Sequence, residues 1–205
     1  LADLKASVTA CREHDVESVV LGKGSNVLAS DRGYDGVVIV LGRDFKKHSV
    51  EGDYITSGAR TVLAHVVQDA YARGLSGLEF AVGVPGTVGG ALVLNARTRS
   101  DWMGLVIESV TFFDPDRRLV GHRPGDVRWG YRDTDLREKG TVVECVLRLA
   151  EGDKRAIRRT MDASLTRRKV SQPLGVASAG SVFANPPGDS AGRLIETVGL
   201  KGARC

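Results

Sequence analysis

A glycine-rich run from Gly83 to Gly90, followed by apolar residues up to Asn95, is the stretch of this sequence best suited to chemistry. Its glycines carry no side-chain bulk, so the backbone can adopt positive φ and point amide groups at anionic oxygens. A second glycine-containing stretch, Gly22 to Asn26, follows a short apolar run. Two such loops in one chain favour a large, phosphate-bearing cofactor that is held mostly by main-chain groups.

The loop from Gly22 to Asn26 is also compatible with an ordinary tight turn, and its spacing alone leaves both interpretations open. It lacks the GxGxxG pattern of a dinucleotide-binding Rossmann loop and the GK[ST] ending of a P-loop. If it binds phosphate, it does so with a different geometry.

Composition narrows the class of protein. The 205 residues allow one large domain or two small ones, and 42% of them are hydrophobic, as in ordinary globular proteins. The net charge of +4 and the pI near 9.1 are mild, and they fit an anionic small ligand at least as well as nucleic acid. Aromatic residues make up only 5% and show no RNA-binding pattern, so no nucleic-acid partner is predicted.

The three cysteines are widely spaced and contain no CxxC pair, which predicts reduced thiols and a cytoplasmic protein without a metal site. No apolar run approaches the roughly 18 residues that span a membrane, and no signal peptide is present. The sequence begins at Leu1 and stops at Cys205 in the middle of a patterned stretch, so we expect part of a longer protein. A monomer is expected.

Apolar periodicity predicts an α+β chain. Helices are predicted over 1–14, from a Thr61 cap to Gly74, over 153–169, and from Asp189 to Val198 with Ala191, Leu194, Ile195 and Val198 facing inward. Strands are predicted over 18–21 (buried), 37–41, 53–57, 105–113 and 141–149. The many arginines of the 153–169 helix favour a solvated face over a binding patch.

Several collinear motifs resemble the UDP-N-acetylenolpyruvoylglucosamine reductase family, flavin enzymes of bacterial cell-wall synthesis. The matching stretches are 21–28, 77–80 with 83–90 and Asn95, Gly130-Tyr-Arg-Asp133, Gln172-Pro-Leu174, Ala179-Gly-Ser-Val-Phe183, 185–196 and 199–202. They cover nearly the whole chain, and their occurrence in the same order makes a chance match very unlikely.

The resemblance implies a two-subdomain FAD-binding fold of the vanillyl-alcohol-oxidase/PCMH type, followed by part of a substrate-binding α+β domain. We place the two FAD-binding subdomains at 1–75 and 76–150 and the partial substrate domain at 151–205. NADPH would reduce the FAD, and the reduced flavin would pass hydride to the enolpyruvyl double bond of a UDP-sugar.

The resemblance also implies roles for individual residues. The residues expected to hold the FAD are Gly22, Lys23, Gly24, Ser25, Asn26, Gly83, Pro85, Gly86, Thr87, Gly89, Gly90 and Asn95. Ser181 would donate a proton to the intermediate, and Arg132 would clamp its carboxylate. Tyr131, Asn185 and Gln172 would contact the substrate diphosphate or sugar. Without the resemblance, an ion pair with Asp133 or Asp135 is the favoured role of Arg132, and Ser181 is predicted to be a turn residue.

The sequence departs from the family pattern at three places. Arg97 to Trp102 stands where the family usually has Gly-Ala-Tyr-Gly and a glutamate, and Ala184 stands where a basic residue is common. The segment that carries the family's catalytic glutamate is not present in this sequence. Two alternatives therefore stay open, a non-catalytic FAD-binding fragment or module, and a related flavin oxidase of the same cofactor fold.

Overall fold

The computed structural model describes residues 1–98, 100–114, 116, 118–172 and 180–203. The helices are α1 (Ala2–Glu13), α2 (Leu63–Ala72), α3 (Val88–Val93), α4 (Leu136–Lys139), α5 (Lys154–Ser171) and α6 (Ala191–Thr197). The strands are β1 (Ser18–Val20), β2 (Val37–Ile39), β3 (His48–Glu51), β4 (Tyr54–Gly58), β5 (Leu75–Ser76), β6 (Ile107–Phe113), β7 (Leu119–His122), β8 (Trp129–Gly130), β9 (Asp133–Thr134), β10 (Thr141–Arg148) and β11 (Ala150–Glu151). Short 3₁₀ helices lie at Arg43–Lys46, Glu79–Ala81, Met103–Leu105 and Pro124–Asp126. None of the described helices is long and apolar enough to cross a membrane.

The N-terminal region consists of α1 and the two parallel strands β1 and β2. The helix predicted over residues 1–14 is confirmed, and it buries Leu4 and Cys11. The strand predicted after it is also confirmed, but its predicted burial is wrong, because Val19 and Val20 are 41% and 38% exposed. A strand is buried only when neighbouring elements cover it, and this sheet has only two strands.

An antiparallel sheet with the strand order β3-β4-β10-β6-β7 forms the centre of the fold. β10 lies in the middle and pairs with β4 on one side and β6 on the other. Val143, Cys145 and Leu147 are buried, whereas Glu144 and Arg148 are exposed. This confirms the predicted alternation, since one face of β10 packs into the core and the other does not.

The central sheet crosses a predicted domain boundary. β3 and β4 come before residue 75, whereas β6, β7 and β10 come after it. β5 pairs with β11 and adds a second connection between the two predicted subdomains. The division into 1–75, 76–150 and 151–205 stays a prediction, and the sheet topology does not support its first boundary. The last residues of the third unit, 204 and 205, lie outside the described residues.

Helix α2 packs on the central sheet through a confirmed apolar face. Its buried side chains are Leu63, Val66, Val67 and Ala70. Gly74, with a φ of 73°, follows the end of the helix as predicted. The predicted cap is wrong, because Val62 occupies the N-cap and the buried hydroxyl of Thr61 has no hydrogen-bond partner among the described residues. The carbonyl of Thr61 instead accepts a hydrogen bond from the amide of Val88, which ties the start of α2 to the start of α3.

Helix α5 follows the predicted pattern. The carboxylate of Asp153 caps it by accepting a hydrogen bond from the amide of Ala156 at 2.8 Å. Ile157 and Met161 are buried, and Leu165 is half-buried. The narrow apolar stripe therefore attaches the helix to the body of the protein.

Helix α6 is present where a helix was predicted, but its predicted packing is wrong. Ser190 caps the helix by accepting a hydrogen bond from the amide of Arg193. Leu194 and Val198, which were predicted to face inward, are 40% and 66% exposed. Burial of this face requires a packed element that the described residues do not place there.

Cys11 and Cys145 are buried and free of disulfide bonds. Both positions agree with the prediction of reduced thiols. Cys205, the third cysteine of that prediction, lies outside the described residues.

Candidate functional site

The first glycine loop, residues 22–26, follows β1 and offers main-chain donors. Gly24 has a φ of 69°, which a residue with a Cβ adopts only at a cost. Within the described residues, none of the amide groups of this loop donates a hydrogen bond to the protein. Gly22, Lys23 and Asn26 are exposed, and Ser25 is half-buried. The loop therefore has the free N–H groups that a phosphate requires.

The second glycine loop begins with an open segment. Gly83 and Gly86 have φ values of 71° and 107°, so both need glycine. Their amides have no acceptor among the described residues, and Pro85 between them is exposed. This half of the loop resembles the first loop in offering main-chain N–H groups.

The rest of the second loop is used by the protein itself. The amide of Gly89 donates to the carbonyl of Ala59 at 2.9 Å, and the amide of Gly90 donates to the hydroxyl of Thr87 at 3.3 Å. A Cβ at Gly89 would lie 2.8 Å from the Cβ of Ala59. Gly89 thus allows α3 to pack closely on the end of β4, and Thr87 is the N-cap of that helix.

The two glycine loops touch each other. A Cβ at Gly22 would lie 2.7 Å from the hydroxyl oxygen of Thr87, and a Cβ at Gly86 would lie 2.9 Å from the hydroxyl oxygen of Ser25. Both distances are shorter than real side chains tolerate, so each loop fits against the other only because glycine occupies these positions. The structure therefore joins the two stretches predicted to hold one cofactor.

Asn95 has a structural role in this arrangement. Its side chain is almost fully buried, its amide nitrogen donates to the carbonyl of Gly130 at 2.8 Å, and its amide oxygen accepts from the amide of Gly104 at 3.4 Å. Both ends of the side-chain amide are engaged with the protein. One of its partners, Gly130, directly precedes Tyr131 in the chain. The geometry does not favour the predicted direct contact of Asn95 with the cofactor.

Ser181 lies beside the first glycine loop. A Cβ at Gly180, the preceding residue, would lie 3.7 Å from the side-chain oxygen of Asn26. Ser181 itself is exposed. The predicted proton donor is therefore adjacent to the loop predicted to hold the cofactor. Residues 173–179, which include Pro173, Leu174 and Ala179 of the predicted motifs, lie outside the described residues.

Tyr131 and Asn185 meet directly. The side-chain amide of Asn185 donates to the hydroxyl of Tyr131 at 3.1 Å. Together with Pro186 and Pro187 they line a groove of about 350 Å³. Gln172 ends α5 by donating its main-chain amide to another residue of that helix, and its side chain makes no hydrogen bond to a described residue. The structure thus joins two of the three predicted substrate residues and not the third.

Arg132 does not form the ion pair that its neighbours in sequence favour. Asp133 pairs with Arg128 at 2.8 Å, and Asp135 pairs with Lys139 at 3.2 Å. Arg132 has a positive φ of 57°, is exposed, and has no ion-pair partner among the described residues. Its guanidinium is therefore available to a ligand.

Arg168 of α5 is a second cation at this site. It is half-buried, it donates to the carbonyl of Phe80 at 3.4 Å, and its side chain lies 3.4 Å from where a Cβ of Gly83 would be. Burial, and then the charge of Arg132, lower the pKa of Arg168. No described carboxylate pairs with either arginine. A bound anion would stabilise two such unpaired positive charges.

The sequence interpretation missed Arg168, because it treated the arginines of this helix as a solvated face. A signal was present. Arg168 continues the stripe of Ile157, Met161 and Leu165 at a spacing of three residues, so it lies on the face that packs against the protein. A cation on the buried stripe of a helix is more informative than one on its exposed side.

Comparison with known proteins first defines a class. Residues 1–120 match the model of an FAD binding domain. The structure of 6-hydroxy-D-nicotine oxidase from Arthrobacter nicotinovorans aligns with 73% of this chain and 34% of that chain, with a TM-score of 0.57 and 19% identity. At that identity the likeness shows the fold alone. The chain therefore has the FAD-binding fold of the vanillyl-alcohol-oxidase/PCMH type, and the predicted fold class is confirmed.

The similarity is much higher to one family within this class. UDP-N-acetylenolpyruvoylglucosamine reductase of Heliobacterium modesticaldum is 41% identical over 203 residues, which are 98% of this chain and 65% of that protein. The structure of the reductase (MurB) from Thermus caldophilus aligns with 95% of this chain and 71% of that chain, with a TM-score of 0.84 and 40% identity. Residues 172–205 match the C-terminal domain model of the same reductase. The chain belongs to the UDP-N-acetylenolpyruvoylglucosamine reductase family, as its motifs predicted, and it spans less than two thirds of the length of the Heliobacterium relative.

Proposed function

We propose that the protein carrying this chain reduces the enolpyruvyl ether of UDP-N-acetylglucosamine enolpyruvate to UDP-N-acetylmuramate, with FAD as cofactor and NADPH as reductant, in peptidoglycan precursor synthesis. The observation that carries the proposal is that Arg132 and Arg168 have no carboxylate partner among the described residues, while the Arg168 side chain lies against Gly83 of the second glycine loop. An anionic substrate that reacts next to a cofactor held by that loop would neutralise this pair.

The two glycine loops fit FAD. The loops touch at Gly22 and Thr87 and at Ser25 and Gly86, and the amides of residues 22–26, Gly83 and Gly86 have no acceptor among the described residues, so they would be available to a pyrophosphate. FAD, when bound, supplies a two-electron hydride donor next to the substrate. Thr87 and Gly89 support the shape of the second loop from within the protein.

Arg132 would stabilise the charge that develops on the substrate. Addition of hydride to one carbon of the enolpyruvyl double bond leaves negative charge on the other carbon, next to the carboxylate. A guanidinium donates two parallel hydrogen bonds to a carboxylate and keeps its charge at any working pH. Because Arg132 has no carboxylate partner among the described residues, substrate binding would not have to break an ion pair.

Ser181 would complete the reaction by donating a proton to the carbanion carbon. Ser181 is exposed, and the residue before it, Gly180, lies close to Asn26 of the first glycine loop. A serine is a weak acid, and a nearby positive charge stabilises the alkoxide that remains. Arg132 and Arg168 are the cations that we assign to this task.

The groove formed by Tyr131 and Asn185 would receive the nucleotide-sugar part of the substrate. Its tyrosine hydroxyl, asparagine amide and proline rings provide both hydrogen bonds and an apolar surface. We include Gln172 in this subsite because of its family match, although its side chain has no described partner. We further propose that the protein acts as a monomer in the cytoplasm, where NADPH and nucleotide sugars are found.

The test is to follow the flavin absorbance of the purified protein in the absence of oxygen. NADPH should bleach the flavin band, and the enolpyruvyl UDP-sugar should restore it. Ser181→Ala should leave the NADPH step within about twofold and slow the restoration by about 100-fold or more, as general acids contribute 10²–10⁴-fold. Equal loss of both steps would refute the proton-donor role.

The other outcomes of this experiment separate the alternatives. A band that bleaches but never returns with the sugar would refute the reductase and leave a flavin-binding module. A band that is bleached by a hydroxy acid or an alcohol and not by NADPH would indicate a flavin oxidase. The absence of any band after FAD has been added would mean that the glycine loops are ordinary turns.

A further inference from the structure

Residues 97–98 and 100–102 are linked by several hydrogen bonds, and Arg97 contacts the Tyr131 ring of the groove. Arg97 and Trp102 form an isolated β-bridge, and the amide of Thr98 donates to the carbonyl of Asp101 at 2.8 Å. The amide of Asp101 donates back to the hydroxyl of Thr98 at 3.2 Å. These contacts fix the point at which the side chain of Arg97 leaves the backbone.

Two aromatic rings hold the guanidinium of Arg97. Its central carbon lies 5.3 Å from the centre of the Trp102 ring and 5.4 Å from the centre of the Tyr131 ring. Cation–π contacts at these distances restrict the side chain without neutralising its charge. Arg97 is thus held in place as a cation, in a half-buried position.

Most hydrogen-bond donors of Arg97 remain unused. Its Nε donates to the carbonyl of Thr98 at 3.1 Å. The two terminal nitrogens have no hydrogen-bond or ion-pair partner among the described residues, and together they carry four N–H donors. A fixed guanidinium with free donors on its edge suits a phosphate group, because the planar fork matches two phosphate oxygens.

The side chain of Tyr131 connects Arg97 to the groove. The Tyr131 ring that contacts Arg97 carries the hydroxyl that accepts the hydrogen bond from Asn185. Asn185 in turn accepts a hydrogen bond from the first residue of α6. The cations of that helical region are already paired, Arg193 with Asp189 and Lys201 with Glu196. Among the described residues, Arg97 therefore joins Arg132 as a cation near the groove without an ion-pair partner, and its guanidinium lies against the Tyr131 ring.

We propose that Arg97 binds the diphosphate of the nucleotide-sugar substrate directly, with Trp102 and Tyr131 holding its guanidinium in position. The proposal rests on the proposed function, in which the groove receives a UDP-sugar, and it adds a residue to that subsite. It assigns the recognition of the nucleoside diphosphate to the charge of Arg97.

The experiment compares three substitutions of Arg97 in the purified protein. Arg97→Met keeps the length of the stem and its packing against the rings, Arg97→Gln keeps hydrogen-bonding capacity, and Arg97→Lys keeps the charge. The dissociation constant of UDP is measured by titration calorimetry at low and high salt. The KM and kcat for the enolpyruvyl UDP-sugar are measured with NADPH. Arg118→Gln, at an exposed arginine paired with Asp114, is the matched control for loss of a surface charge.

Arg97→Met and Arg97→Gln should each raise the dissociation constant of UDP and the KM about tenfold, with kcat within twofold, because about 1.4 kcal/mol of binding is lost. Arg97→Lys should retain most of the affinity, and Arg118→Gln should behave as the unchanged protein. The salt dependence of UDP binding should also become weaker in the two uncharged variants.

UDP binding by Arg97→Met within twofold of the unchanged protein would overturn the proposal, since packing alone would then explain the residue. A tenfold fall in kcat with an unchanged KM would overturn it as well. The proposed function is tested separately. If the unchanged protein bound UDP but did not reduce the enolpyruvyl sugar, the reductase activity would be refuted while the binding data would still decide the role of Arg97.

Discussion

In the first glycine loop the amides of residues 22–26 have no acceptor among the described residues, whereas in the second loop those of Gly89 and Gly90 are already used by the protein. The same residue type therefore serves two purposes. In one loop glycine exposes the main chain to a ligand, and in the other it also lets a helix pack against the sheet. A glycine-rich motif thus combines ligand-binding and packing positions, and only the hydrogen bonds of the folded chain tell them apart.

The largest effect is expected from a test of the packing role of Gly89, in which Gly89→Ala is compared with Gly90→Ala in helix α3. The new methyl group at 89 would press on Ala59 at 2.8 Å, so we expect the free energy of unfolding of the FAD-free protein to fall by about 2 kcal/mol. At 90 a new methyl group would meet only the hydroxyl of Thr87, 3.5 Å away, and alanine favours a helix over glycine by about 1 kcal/mol. Urea unfolding measures the free energy of unfolding of both variants. Equal losses at the two positions would show that Gly89 is not a packing residue.

Gly86→Ala tests whether the loops need their mutual contact. The substitution puts a methyl group 2.9 Å from the hydroxyl of Ser25 and strains a backbone with a φ of 107°. We expect the dissociation constant of FAD to rise about tenfold, a loss of about 1.4 kcal/mol. Adding Ser25→Ala removes the atom that clashes, and it should recover part of the affinity. The dissociation constant is measured by fluorescence titration with FAD. An unchanged dissociation constant in Gly86→Ala would contradict the contact between the loops.

Gly24→Ala tests the proposed cofactor-binding role of the first loop, and Gly33→Ala is its matched control. Both glycines have positive φ and no atom within 4 Å of a new Cβ. Each substitution should therefore cost about 1 kcal/mol of stability through backbone strain alone. Only Gly24→Ala should weaken FAD binding, by about threefold, because only its loop is proposed to hold the cofactor. Equal FAD affinity in the two variants would remove the first loop from the cofactor site.

The smallest expected effect concerns Cys145, which lies in the sheet beneath the second loop. Burial raises the pKa of its thiol to about 12. The group contributes no pH dependence below about pH 9, and stability should fall as the pH rises from about 9 to 12, because the unfolded chain then releases its proton first. At pH 8 alkylation of Cys145, located by peptide mass spectrometry, should be slow in the unchanged protein and in Gly24→Ala. It should be faster in Gly89→Ala, and equal rates in all three would show that the sheet does not loosen.

The sequence was sufficient for features that depend on nearby residues. The alternation of β10, the stripe of α5 and the glycine positions 22–26 and 83–90 are all visible as local patterns. The family motifs added the roles of Arg132 and Ser181, which no spacing indicates. The structure leaves those roles as proposals; it places Gly180, the neighbour of Ser181, near Asn26 of the first glycine loop and leaves Arg132 exposed.

The features that sequence reasoning missed depend on contacts between distant parts of the chain. Arg168 reaches Phe80, 88 residues earlier, and the amide of Asn95 binds Gly130, 35 residues later. The exposure of β1 and of α6 was also mispredicted, because burial depends on which element covers a face and not on the face alone. Thr61 was taken for a cap on residue type, whereas main-chain pairing with Val88 fixes its position.

The strand order of the central sheet has a consequence for synthesis of the chain on the ribosome. β3 and β4 are made early, but β4 hydrogen-bonds to β10, which is made only after β6 and β7. Until β10 has emerged, one edge of the nascent β3–β4 hairpin has no partner strand, and such edges promote aggregation. Because the sheet closes through pairs of strands far apart in sequence, we expect it to form slowly and as one late, cooperative step.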